Sequence, residues 1–184
     1  MITDIRLAGQ QLAAPRFDTP KKLVSWMGAI QAQDYAMARW AVGIRLKSAT
    51  ARSVGEAFSR GEILRTHVMR PTWHLVAAED IRWMLKLSAR RIRSANESLA
   101  KGRQLELTEQ LHYRCDRLLE KMLEGNRNLT KQQIGEELNR QGIAADTPRL
   151  TRLLMRAETE AVVCSGPFSG GKQTYALLEE RVPP

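Results

Sequence analysis

The helix starts and stops between Leu107 and Leu178 leave this chain little freedom in how it folds. Leu107, Leu111, Leu118, Met122 and Leu123 repeat at helical spacing and mark one face of a helix that stops at Gly125. Thr130 followed by Gln133 is a capping box: each side chain can satisfy the other residue's free backbone N–H. It opens a second helix ending near Gly142. Thr147-Pro148 starts a third, with Leu150, Leu153, Leu154 and Ala157 facing inward. Ala161-Val-Val-Cys164 then reads as a strand, Gly166-Pro-Phe-Ser-Gly-Gly171 as a turn, and Gln173-Thr-Tyr-Ala-Leu-Leu178 as the returning strand. Three helices and a hairpin, in that order, are the layout of a winged helix-turn-helix.

The residues before them read as a second unit of similar size. Asp18 or Thr19 caps a helix with Pro20 in its first turn, and Leu23, Trp26, Met27 and Ile30 form its inner stripe. Trp40-Ala-Val-Gly-Ile-Arg-Leu46 has the look of a short strand, and Ser53 to Phe58 of a helix closed near Gly61. Leu64 to Val76 is rich in β-formers and broken by Arg70-Pro71, which predicts two strands joined by a tight bend. Asp80 caps a long basic helix running to about residue 100. The expected fold is therefore mainly α with short β-hairpins (α+β): tandem winged helix-turn-helix units, one over residues 1–100 and one over 101–184. The four tryptophans are expected to anchor its cores.

Charge narrows the choice of partner. A net charge of +9 and a pI near 10.1 favour a polyanion, nucleic acid or an anionic membrane surface. Nucleic acid is the better fit, because no run of about 18 apolar residues could form a membrane anchor. Met1-Ile2-Thr3-Asp4 lacks the basic start and apolar centre of a signal peptide. Cys115 and Cys164 stand far apart with no metal-ligand spacing, so they read as buried free thiols in a reducing cytoplasm. His67, His74 and His112 make no metal set either, and His112 is expected on an exposed helical face. Gly170-Gly171-Lys172 lacks the upstream half of a phosphate loop, and Ser165 has no nucleophile elbow. No metal, cofactor or membrane is called for, and a cytoplasmic, nucleoid-associated protein is expected. The close, Arg181-Val-Pro-Pro184, resembles the start of a linker.

Two basic surfaces could meet phosphates. Arg149, Arg152 and Arg156, at i, i+3 and i+7, share the face of the third helix opposite its leucines, with Lys172 at the expected wing tip. Arg82, Lys86, Arg90, Arg91, Arg93, Lys101 and Arg103 crowd the long helix against one acid, Glu97. Either face could instead be merely solvated and laced with salt bridges.

The chemistry lies at Ile30-Gln31-Ala32-Gln33-Asp34. On a continuous helix, positions two apart point in nearly opposite directions; in extended chain they point the same way. If both amides serve one site, the helix through Leu23 must end before them. A glutamine is no strong base at neutral pH. Its carbonyl can orient a water and lay a dipole beside developing positive charge. That suits a substrate whose leaving group departs unaided, such as an N7-alkylated purine leaving an oxocarbenium-like sugar. Taken alone, the pair reads better as two surface glutamines, since glutamine is mostly exposed.

Trp26-Met-Gly-Ala-Ile-Gln-Ala-Gln-Asp34, Leu64-Arg-Thr-His-Val-Met-Arg-Pro-Thr-Trp-His-Leu-Val-Ala-Ala-Glu-Asp80 and Gly171-Lys-Gln-Thr-Tyr-Ala-Leu-Leu-Glu-Glu-Arg-Val182 resemble the winged-helix DNA glycosylases of the AlkZ/YcaQ type. The resemblance implies tandem winged helices around double-stranded DNA, excision of alkylated bases (base excision repair), and in some members unhooking of interstrand crosslinks. It implies catalytic roles for Gln31 and Gln33, in the family's Gln, apolar, Gln pattern. It also places Arg65, Met69, Arg70, Thr72 and His74 in the family's second motif, lining the DNA-facing cleft; a core role for His74 in a strand stays open. Members are usually far longer, so a C-terminal region or a second subunit is expected to complete the cleft. His67 stands where a large apolar residue would be expected. Three functions follow: a DNA glycosylase (a hydrolase of N-glycosidic bonds), a non-catalytic winged-helix DNA-binding protein or regulator, or a module binding an acidic protein.

Overall fold

The computed structural model describes residues 1–183. Among them are nine α-helices and two small antiparallel sheets, interleaved along the chain. Helix α1 (Ile2–Gly9) buries none of its side chains. Helix α2 (Pro20–Met27) starts as expected, with the Thr19 hydroxyl accepting a bond from the Lys22 N–H. It ends at Gly28, whose φ of 72° favours glycine and turns the chain out of the helix. The chain then extends as β1 (Ala29–Gln31), so Ile30 belongs to a strand and not to the helical stripe.

Asp34 caps the next helix, α3 (Tyr35–Gly43), through the Met37 N–H at 3.1 Å. The strand expected over Trp40–Leu46 is therefore mostly helix. Strand propensity is a context-dependent preference, and a satisfied cap upstream outweighs it. Helix α4 (Ala51–Ser59) follows behind a Thr50–Ser53 capping box. Strands β2 (Ile63–His67) and β3 (Trp73–Ala77) form the expected hairpin around Arg70-Pro71. Strand β1 adds to the free edge of β3, pairing Gln31 with His74, which gives the order β1-β3-β2.

Helix α5 (Ile81–Gly102) is the long basic helix. Asp80 stands at its start, but the Asp80 carboxylate does not cap the backbone. It accepts instead from the Trp83 indole N–H and the Ser25 hydroxyl. Then come α6 (Glu109–Leu123), β4 (Leu129–Thr130), α7 (Lys131–Arg140), α8 (Thr147–Thr159), β5 (Val163–Ser165), β6 (Thr174–Leu177) and α9 (Leu178–Arg181). The Thr130–Gln133 capping box forms in both directions. The second sheet has the order β4-β6-β5, so both sheets share one pattern, with the first short strand beside the last.

Three apolar clusters hold the described residues together. One lies inside α2, α3, α4 and the first sheet, and includes Leu23, Phe58 and Ile63. Another lies among α6, α7 and α8, and includes Leu119, Ile134 and Leu154. The third joins the two halves: Leu64, Val76, Ile81 and Leu85 meet Cys164 and Leu178. Beside it, strand β2 abuts β5, with the Arg65 N–H donating to the Ser165 hydroxyl at 2.9 Å. Arg181 crosses the same seam, donating to the carbonyls of Phe58, Ser59 and Ser165. The linker-like reading of the chain end fails at Arg181, which is a tether; Pro184 lies outside the described residues.

Two further expectations are corrected. Trp26, Trp40 and Trp83 are all more than half exposed, leaving only Trp73 packed against a core cluster. His112 is buried rather than solvated. Both cysteines are free and buried. Among the described residues, no helix is long and apolar enough to cross a membrane.

Candidate functional site

Gly28 does for the glutamine pair what a continuing helix could not. With the chain extended, Gln31 and Gln33 are exposed and Ala32 between them is fully buried. Strand β1 closes at Gln31, and Gln33 lies in the bend that leads to the Asp34 cap. The Ala32 N–H donates to the Trp73 carbonyl at 2.7 Å, carrying the pairing with β3 one residue past the strand. The two amides are held differently. Gln33 Oε1 accepts from the Trp73 N–H at 3.3 Å, which fixes the amide's orientation, because only its oxygen can face a donor. The Gln31 amide has no hydrogen-bond partner among the described residues and stands open to solvent.

Arg65 underlies the pair. From the middle of β2 its Nε donates to the Ala32 carbonyl at 2.9 Å and its Nη2 to the Gln33 carbonyl at 3.0 Å. Its Nη1 donates to Gln173 Oε1 at 2.6 Å, across the seam. The guanidinium also lies 4.6 Å from the centre of the Trp73 ring. Burial pulls its pKa below the usual arginine value. Three of its five N–H groups already bind protein.

His74 is buried, with Nδ1 2.8 Å from the Thr72 carbonyl. That contact puts the proton on Nδ1, and burial pushes the ring's pKa down, favouring the neutral form. The Thr72 hydroxyl is buried with no protein partner among the described residues. Arg70 and Met69 are exposed on the hairpin tip, and Met69 has a φ of 63°, a strained conformation for a side-chain-bearing residue. Its N–H is held by the Ser88 hydroxyl of α5 at 2.8 Å.

Below the site lies a buried polar knot invisible in the sequence. Glu158 of α8 is 1% exposed. One of its oxygens accepts from the Thr66 hydroxyl, the His67 N–H and His67 Nδ1, the last at 2.7 Å. His67 also packs on Trp73, ring centres 3.9 Å apart. The odd histidine in an apolar place is thus the partner of a carboxylate from 91 residues away.

The arginine face of α8 is arranged differently from the expectation. Helix α5 crosses α8, and the Asn96 amide donates to the Arg152 carbonyl at 2.9 Å. Arg156 is 11% exposed and enclosed by Glu109 and Glu160, its Nη2 2.9 Å from Glu109. Arg149 donates to the Glu106 carbonyl and lies near Asp146. Arg152 is half-buried, and burial lowers its pKa. Arg149 and Arg156 are engaged by protein on the side where α5 and α6 pack, whereas the half-buried Arg152 guanidinium meets Met155 Sδ and has no carboxylate partner among the described residues. Arg90, Arg91 and Lys172 are exposed.

Known proteins extend these observations. The sequence matches the family model described as DNA glycosylase AlkZ-like over residues 24–184. The chain belongs to the AlkZ-like DNA glycosylase family. The match takes in the glutamine pair, the β2–β3 hairpin and every element after it. Among solved structures, the chain resembles the Streptomyces sahachiroi DNA glycosylase AlkZ, with a TM-score of 0.78 and 22% sequence identity. The similarity covers 97% of this chain and 48% of that one, so the chain spans about half the length of the solved relative. No curated protein sequence matches it.

Proposed function

We propose that the chain is a DNA glycosylase, or the catalytic half of one, releasing N7-alkylated purines from duplex DNA. One observation carries this reading: within the family match, both glutamines stand exposed on either side of a buried Ala32, in a segment backed by Arg65. An N7-alkylated purine is already cationic and needs no acid to leave. The demand falls on the sugar, which becomes an oxocarbenium-like cation. The unpartnered carbonyl of Gln31 lays its dipole beside that charge. The Gln33 carbonyl, steadied by the Trp73 N–H, has a second lone pair with which to hold the attacking water. Neutral amides suit this task, because they favour the cation without forming a covalent bond to it.

The repeated order of helix, short strand, two helices and hairpin supports two winged-helix units, over residues 1–100 and 101–184. Duplex DNA is met by the hairpin tip at Arg70 and by Lys86, Arg90 and Arg91. These last stand exposed along α5, whereas Arg82 and Arg93 pair with Glu179 and Glu160. Lys172, exposed at the β5–β6 turn, adds a backbone contact. The rest of the cleft comes from a region or subunit outside this chain.

The test is base release from duplex DNA carrying N7-methylguanine. The protein should leave abasic sites faster than spontaneous depurination. Gln31→Ala with Gln33→Ala should abolish release while duplex affinity holds. Release unaffected by the double substitution would remove the glutamines from the mechanism. Binding without any release by the unsubstituted protein would leave only a DNA-attachment role.

A further inference from the structure

We infer that Arg65 is a positioning residue, aligning the glutamine pair and making that alignment depend on the C-terminal hairpin. The proposal rests on the glycosylase reading for its catalytic consequence; its structural half stands without that reading.

The geometry is specific. Ala32 and Gln33 carry consecutive carbonyls, and Arg65 binds both, through Nε at 2.9 Å and Nη2 at 3.0 Å. These two groups bracket the backbone torsions of Gln33. Fixing both ends leaves its side chain one base to project from. The Gln33 amide is held in turn by the Trp73 N–H, and the Trp73 ring lies against the guanidinium. Arg65, Gln33 and Trp73 therefore form a closed ring of interactions. Gln31 needs no such clamp, since β1 already pairs it with His74.

The third arm reaches away from the site. Nη1 binds Gln173, in the segment between the glycine turn and β6, and the Arg65 N–H binds Ser165 at the end of β5. Both acceptors belong to the second sheet's hairpin, about 100 residues from Arg65 in sequence. Docking of that hairpin sets where the guanidinium sits, and the guanidinium sets where Gln33 points. A lysine cannot replace it, because one ammonium on a flexible stem does not present a planar fork to three acceptors.

The test uses Arg65→Ala, Arg65→Lys and Gln173→Ala in the full chain. Hydrogen exchange reads the clamp directly. In Arg65→Ala, the amides of residues 29–33 should exchange about tenfold faster while those of α6 to α8 keep their protection. Single-turnover release of N7-methylguanine at saturating protein reads the catalytic consequence. Both Arg65 variants should lose on the order of 100-fold in rate, the cost typical of misplacing a reacting group by an ångström. Gln173→Ala should show a smaller loss. Duplex affinity and its salt slope should be unchanged, and millimolar guanidinium should restore part of the Arg65→Ala rate without accelerating the unsubstituted protein. Unchanged exchange at residues 29–33 overturns the clamp. A fall in affinity with a salt slope lower by about 0.9 overturns it in favour of direct phosphate binding. No release by the unsubstituted protein removes the glycosylase reading, and the exchange result still decides the clamp.

Discussion

Burial has silenced several side chains that would otherwise react or titrate. Cys115 and Cys164 have thiols pushed up to about 12 by desolvation, so both are neutral at pH 8. A thiol-specific disulfide reagent at that pH should modify neither in the native protein and both in urea; rapid native modification would mean the cores open. Asp116 shows the opposite face of burial. Desolvation, with Glu160 adding to it, raises this carboxyl from 3.8 to about 6. The folded state then binds its proton more tightly than the unfolded chain does. Its effect on stability is therefore neutral below about pH 4, grows unfavourable as pH rises through 4 to 6, and persists above. Asp116→Asn should raise the melting temperature at pH 8, with the gain fading by pH 4. A gain that persists at pH 4 would assign it to packing instead.

Among the elements, caps were legible in the sequence and faces were not. The Thr130–Gln133 box, Pro20 and the Arg70-Pro71 bend act through neighbours a few residues away, so the local sequence carries them, whereas the stop at Gly28 is missed by a reading that carries the helix on to Ile30. The orientation of α8 depends on what packs against it, and no local pattern records that α5 crosses its arginine side. The same limit hid Glu158 behind His67 and Gln173 behind Arg65, since each pair joins residues about 100 positions apart. The Trp40 segment misled for a related reason: its β-forming residues spoke louder than the single Asp34 cap before them. For α8, the expected outcome is a separation of effects. Arg156→Ala frees Glu109 and Glu160 and should lower urea stability by about 1 kcal/mol, the range for charge pairs near a surface. It should leave the salt dependence of DNA binding unaltered. Arg90→Ala with Arg91→Ala should do the reverse, reducing the salt slope by up to about 0.9 for each phosphate no longer neutralised.

Across the whole molecule, the halves are fused by polar ties as well as by an apolar seam. Glu158 with Thr66 and His67, Arg181 with Phe58 and Ser59, and Arg65 with Gln173 all cross it. His67→Phe restores an apolar side chain but strips the buried carboxylate of a bond. It should cost about 1.5–3 kcal/mol, measured by urea denaturation with a single transition. Two separated transitions would show that the halves fold independently.

Covering α8 with α5 has a cost in literacy. A helix that serves as mortar between two halves is not free to spell out base edges in a groove. On the glycosylase reading proposed above, the chain would travel along any duplex with little regard for its text, and discrimination would fall to the moment at the sugar, when one damaged base is ready to part and its neighbours are not.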